Sequence, residues 1–285
     1  MTSSPAVFAG LTQAELDRAY DQDHWAPNAA EVQARIIARS ERVGREMPPI
    51  TRRYGPGARQ SIDVFAPRDA QDAPVFLLVH GGAWRLSMRE AFYGSAPILT
   101  AAGCVLAVVG FDCLPDVSLV QMAEQVRQAV FWVAAEIGAL GGNPRNIHLV
   151  GHSSGAHLAA VTLTGDLGPA AASVRGGTLI SGLYDLAPVM LSSRGAYIDL
   201  APEAAVALSP IHRPAAFMGA GSVWWGTDEA PEFARQSVAF ADALRMAGKL
   251  HRSGPLPGRN HFEMLEEIED PDSPLMTAMI AAAHG

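Results

Sequence analysis

The chain has 285 residues, 49% of them hydrophobic, enough to bury the core of one α/β domain with a modest appendage. A formal net charge of −8 leaves no extended basic surface and argues against nucleic acid or an anionic membrane as a partner. Two cysteines, Cys104 and Cys113, are too few for a disulfide framework. Residues 1–10 lack the basic start and apolar run of a signal peptide, and the longest uncharged apolar stretch, 101–111, is too short to span a bilayer, so a cytoplasmic protein is the expectation.

Residues 11–46 are expected to be helical. Thr12 with Glu15, and Asn28 with Glu31, each form a cap-x-x-Glu signal, Val32, Ile36, Ile37 and Val43 fall near one face, and Pro48-Pro49 ends the pattern. This piece, 1–47, is predicted to be a cap or brace ahead of a catalytic domain over 48–285. From residue 50 short apolar runs alternate with helical patterns, the mark of a mostly parallel sheet with crossover helices. Strands are predicted at 61–66, 75–80, 104–109, 147–150, 174–181, part of 215–225 and 250–252. Helices are predicted at 117–137, 154–163 and 231–247, while the less regular 184–214 is expected to insert near the site.

The strand at 147–150 runs into Gly151-His152-Ser153-Ser154-Gly155 and then a helix. In this context Gly-x-Ser-x-Gly describes a sharp turn that exposes a nucleophilic serine, with glycines letting strand and helix approach closely. Upstream, His80-Gly81-Gly82-Ala83-Trp84 ends the strand at 75–80, where backbone N–H groups can receive negative charge on an acyl oxygen. The oxyanion hole is assigned to the N–H groups of Gly82, Ala83 and Ser154.

A serine hydroxyl needs a histidine to take its proton and a carboxylate to orient that histidine, in the chain order Ser, acid, His. His261 fits best, in the polar loop Gly258-Arg259-Asn260-His261-Phe262. His251 falls within a strand, His284 lies at the terminus, and His212 precedes the acid. The acid follows the strand ending in Val223-Trp224-Trp225, where Asp228 and Glu229 are adjacent and spacing does not choose between them. His80, His152 and His157 lack a zinc spacing such as His-Glu-x-x-His and are expected to support loops; no metal or cofactor is implied. Trp84 and Phe262 adjoin the catalytic loops and are expected to contact substrate.

These pieces, with Ser181-Gly182-Leu183-Tyr184-Asp185-Leu186 and Glu229-Ala230-Pro231-Glu232-Phe233-Ala234-Arg235-Gln236-Ser237, resemble the kynurenine formamidase (arylformamidase) branch of the α/β-hydrolases, near the hormone-sensitive-lipase-like esterases. The resemblance runs from Leu16-Asp17-Arg18-Ala19-Tyr20 to Asn260-His261-Phe262. It implies an α/β-hydrolase fold with an eight-stranded, mostly parallel sheet flanked by helices and an N-terminal helical extension. It places the acid on Glu229, with Asp228 one position earlier, and adds Tyr184 as a substrate contact. Two segments depart from the family pattern: Ala83 stands where a bulky aromatic is common, leaving room beside the oxyanion hole, and 111–116 departs from Tyr-x-Leu-x-Pro-Glu.

The implied activity is hydrolysis of a small amide or ester through an acyl-enzyme, with N-formylkynurenine or a related aryl amide as substrate. Its partners are then a small acyl compound and water, and the sequence leaves room for a homodimer. The alternatives are a general carboxylesterase acting on short-chain esters and, in another class, a non-catalytic binding protein of the same fold.

Overall fold

The computed structural model describes residues 5–285; residues 1–4, which open the extension expected over 1–47, lie outside the described residues. Eight strands form one sheet: β1 (Ile50–Arg53), β2 (Ser61–Phe65), β3 (Ala73–Val79), β4 (Val105–Val109), β5 (Gly142–His152), β6 (Val174–Ile180), β7 (Ala220–Gly226) and β8 (Leu250–Leu256). Their spatial order is β1-β2-β4-β3-β5-β6-β7-β8. β1 and β2 pair antiparallel, as do β2 and β4, and every later pair is parallel.

The helices are α1 (Gln13–Ala19), α2 (Gln22–Trp25), α3 (Ala29–Glu46), α4 (Ala96–Ala101), α5 (Leu119–Glu136), α6 (Ser154–Leu163), α7 (Leu186–Leu191), α8 (Gly195–Ile198), α9 (Pro202–Ala207), α10 (Pro231–Met246), α11 (Met264–Glu267) and α12 (Pro274–His284). Among the described residues, no helix is long and apolar enough to cross a membrane.

Strands β3 and β4 are apolar along their whole length because helices cover both faces of the sheet. β4, Val-Leu-Ala-Val-Val, is buried at every residue. One side of the sheet packs β3, β4 and β5 side chains against α5, α6 and α10; the other packs Phe76, Leu78, Leu106 and Val108 with α3, α4 and α12. Each parallel crossover carries its chain back to the same edge, so the loops after β3, β5, β7 and β8 meet at the carboxyl ends of the strands, where open α/β sheets bind ligands.

Two local expectations change. β1 was not singled out, because its four residues are all exposed and give no apolar run. The Asn28 signal is also not a cap: α3 begins after Asn28, but the Asn28 amide donates to Glu263 Oε1 (2.8 Å) and its oxygen accepts from Asn260 Nδ2 (2.7 Å). At α1, in contrast, the Glu15 carboxylate accepts from the Thr12 N–H (2.9 Å) and hydroxyl (2.8 Å).

Candidate active site

β5 ends directly in the turn that carries Ser153, whose backbone sits at φ 56°, ψ −125°, a conformation L-residues rarely hold without surrounding support. That support is the Ser153 N–H bond to the Ile180 carbonyl (2.9 Å), with α6 starting at the next residue. A Cβ on Gly151 would lie 2.5 Å from the Gly155 carbonyl oxygen, so only glycine lets β5 and α6 cross this closely.

The Ser153 hydroxyl lies 2.9 Å from His261 Nε2, and His261 Nδ1 lies 3.0 Å from Glu229 Oε2. All three side chains are buried. A carboxylate can only accept, so the proton is on Nδ1, Nε2 accepts from the serine, and the imidazole is set up to take the hydroxyl proton. Glu229 Oε1 accepts from Ser181 Oγ (2.5 Å) and the Gly226 N–H (2.6 Å). Burial pushes the Glu229 carboxyl above the usual carboxylate range, opposed by these two donors, by His152 and by the Gln22 side chain. Burial, reinforced by the Arg194 cation, pushes His261 down and keeps it neutral, the form a general base needs.

Asp228 does not join them. It is exposed, and its carboxylate accepts from the neighbouring Thr227 hydroxyl (2.8 Å). The turn after β7 points adjacent side chains in opposite directions, which residue spacing cannot reveal.

Beside Ser153 lies the loop after β3. Gly82, Ala83 and Trp84 have φ of 120°, 52° and 61°, three successive positive values that turn the backbone toward the serine. Among the described residues, the Gly82, Ala83 and Ser154 N–H groups donate to no protein acceptor. Trp84 pins this loop and does not line the cavity over Ser153: it is 1% exposed, and its Nε1–H donates to His157 Nδ1 (3.2 Å) while His157 Nε2 donates to the Leu208 carbonyl (2.8 Å). Tyr184 is likewise core, stacked on Phe240 at 4.3 Å, and does not line the pocket. His152 holds the base loop by donating from Nε2 to the His261 carbonyl (2.9 Å).

A cavity of about 320 Å³ opens over the serine, lined by Gly81, Gly82, Ala83, His152, Ser153, His261 and Phe262. The N-terminal extension supplies part of its wall through Gln22, Ile36 and Ile37. Arg194, from the irregular segment before α8, supplies a cation and makes no ion pair among the described residues; its guanidinium donates to the Tyr20 carbonyl (2.7 Å) and the Tyr197 hydroxyl (3.1 Å). Gln22 and Arg194 carry no motif, and nothing in their sequence surroundings marks them. Ser181 does lie in a recognisable segment, yet its contact with the acid is visible only in three dimensions. Among the described residues, no cluster of three or more His, Cys, Asp or Glu side chains is arranged to hold a metal ion.

A family model described as BD-FAE matches residues 62–167, from β2 to just beyond α6. The kynurenine formamidase of Salmo salar is 31% identical over 77% of this chain and 76% of its own length. The chain belongs to the kynurenine formamidase family. Its Danio rerio member is 27% identical over 98% of both chains. Among solved structures, a provisionally named thioesterase from Silicibacter sp. TM1040 superposes with a TM-score of 0.83 at 28% identity, covering 95% of this chain and 99% of that one. An esterase from Pyrobaculum calidifontis shares the fold, with a TM-score of 0.69 at 19% identity over 91% and 95%. This member of the family is an α/β-hydrolase enzyme that acts on an amide or ester bond.

Proposed function

We propose that the chain cleaves a small aryl formamide, with N-formylkynurenine the leading substrate, through an acyl-enzyme on Ser153. The observation that carries this is the continuous hydrogen-bonded line from the Ser153 hydroxyl through His261 to Glu229 at the floor of the cavity. His261 takes the hydroxyl proton as Oγ attacks the formyl carbon. The Gly82, Ala83 and Ser154 N–H groups receive the oxyanion. The imidazolium then gives its proton to the leaving aryl amine. Water, deprotonated by His261, attacks the formyl-enzyme, releasing formate and returning the proton to Ser153.

Arg194 supports an amino-acid substrate. A half-buried guanidinium without a carboxylate partner suits the carboxylate of such a molecule, and Asp21 and Asp23, on the same cavity, suit its ammonium group. Phe262 is a candidate aromatic contact. Ala83 favours a second reading, a carboxylesterase for short acyl groups, because its small side chain on the cavity leaves room beside the oxyanion donors. The reading takes a small acyl compound and water as partners and needs no cofactor. A net charge of −8 works against nucleic acid, and two buried free cysteines fit a cytoplasmic location.

Ser153→Ala should lower turnover of phenyl acetate and of N-formylkynurenine by about 10⁴-fold or more. Wild-type rates in that variant refute the mechanism. Rates of the native enzyme on N-formylkynurenine beside short p-nitrophenyl esters separate the two substrate readings.

A further inference from the structure

The first helices of the chain bond to the residues that flank Glu229 and His261. Gln22, the first residue of α2, is buried at 6% exposure, and its Oε1 accepts from the N–H of Ala230, the residue after Glu229 (3.1 Å). Its Nε2, buried as well, has no hydrogen-bond partner among the described residues. Six residues on, Asn28 accepts from Asn260, the residue before His261, and donates to Glu263. The segment is held down elsewhere too. The Tyr20 hydroxyl donates to Glu232 (3.0 Å) and accepts from Gln236 (2.9 Å), and Arg35 and Arg39 pair with Glu266 and Glu269.

A buried amide with unused donors is costly unless an acceptor is at hand, and the acceptor at hand is the Glu229 carboxylate. Oε1 already takes two donors, Ser181 and Gly226, whereas Oε2 takes only His261, so the open lone pair is on Oε2. We infer that Gln22 is a positioning residue for Glu229: its Nε2 donates to the carboxylate and keeps it ionised and aimed at His261. On this view the extension is part of the catalytic constellation and not only a cover over the pocket. The chemistry calls for such a donor. When His261 becomes an imidazolium, its proton must stay on the ring to reach the leaving group, and a buried carboxylate short of donors would compete for it. Burial pushes the Glu229 carboxyl up and the Gln22 side chain opposes that push, as a donor to the carboxylate would.

The inference rests on Ser153, His261 and Glu229 acting as proposed above, so the test carries Ser153→Ala as its reference. Gln22→Met removes the donor at similar volume. Gln22→Glu keeps the acceptor for the Ala230 N–H, and so the local fold, while placing a second acid against Glu229. For Gln22→Met on p-nitrophenyl acetate, kcat should fall about tenfold with KM within about twofold, and the acid limb of kcat/KM should move to higher pH as the carboxylate becomes easier to protonate. Gln22→Glu should move that limb further in the same direction.

An acid limb that stays in place in both variants overturns the inference, whether the remaining change lies in KM, as for a substrate contact, or in thermal stability alone, as for a packing residue. Activity retained by Ser153→Ala instead removes the underlying mechanism, whatever the Gln22 variants do.

Discussion

Gly155→Ala tests the packing that joins the proposed nucleophile to the proposed oxyanion loop. A Cβ at Gly155 would lie 2.5 Å from the His80 carbonyl oxygen and nearer still to that of Val79, both backbone atoms that cannot rotate away. Side-chain carbons essentially never approach within 3.0 Å, so relieving the contact with Val79 moves α6 from the end of β3 by close to an ångström. The Ser154 N–H sits at the start of α6 and the Gly82 and Ala83 N–H groups just past β3, so this shift opens the oxyanion site directly. Catalytic groups tolerate about 0.5 Å of displacement, and an ångström costs about 100-fold. The expected loss is therefore about 10- to 100-fold in kcat, with overpacking lowering stability by about 1–3 kcal/mol. Steady-state kinetics on p-nitrophenyl acetate with urea denaturation measures both. Gly248→Ala is the control: at φ 68° with nothing within 4 Å, it should lose about 1 kcal/mol and no activity. A folded Gly155→Ala enzyme with native kcat refutes the argument.

Arg194→Met should raise KM about 10- to 100-fold for carboxylate-bearing substrates and leave neutral esters nearly unchanged; equal effects on both would contradict an anion subsite. The same variant should shift the acid limb of kcat/KM to higher pH, because the removed cation disfavours imidazolium at His261. Stability should also fall with acid. His80 and His157 are fully buried, and burial lowers each to about 4, against 6.5 for the unperturbed ring. Below about pH 6.5 the unfolded chain takes up protons that the folded chain refuses, so stability is full above that value and is lost progressively toward pH 4, by about 1 kcal/mol per histidine at pH 5.5. Urea midpoints that are equal at pH 7.5 and 5.5 would show that these rings are not buried as neutral groups.

What the sequence discloses here depends on how local the governing physics is. α6 is legible to the residue, Ser154–Leu163, because the glycine turn starts it and its apolar composition suits a helix buried on every side. β5 is longer than its apolar core at 147–150: Gly142 pairs with Ala73 and Ile147 with Val75, and the polar residues 143–146 lie in the irregularity between them, which no apolar pattern marks. Spacing alone proposes the serine, the histidine and the oxyanion loop, and the structure brings Ser153 and His261 within hydrogen-bond distance. Trp84 and Tyr184 were misread as substrate contacts because an aromatic beside a catalytic loop looks the same in sequence whether it faces the cavity or the core. Here a hydrogen bond to His157 turns the first inward and a stack on Phe240 the second. Gln22 and Arg194 were invisible because each acts across more than 150 residues of chain.

The brace over the pocket also has a history in time. Asn28, Arg35 and Arg39 leave the ribosome more than 200 residues before the groups that receive them, Asn260, Glu263, Glu266 and Glu269. Helix α3 has to wait for the whole sheet to be synthesised before its docking surface exists. An unfinished chain can thus carry the serine turn and the oxyanion loop and still have an open, unsupported site. The pocket is walled only once these two distant segments have docked on each other.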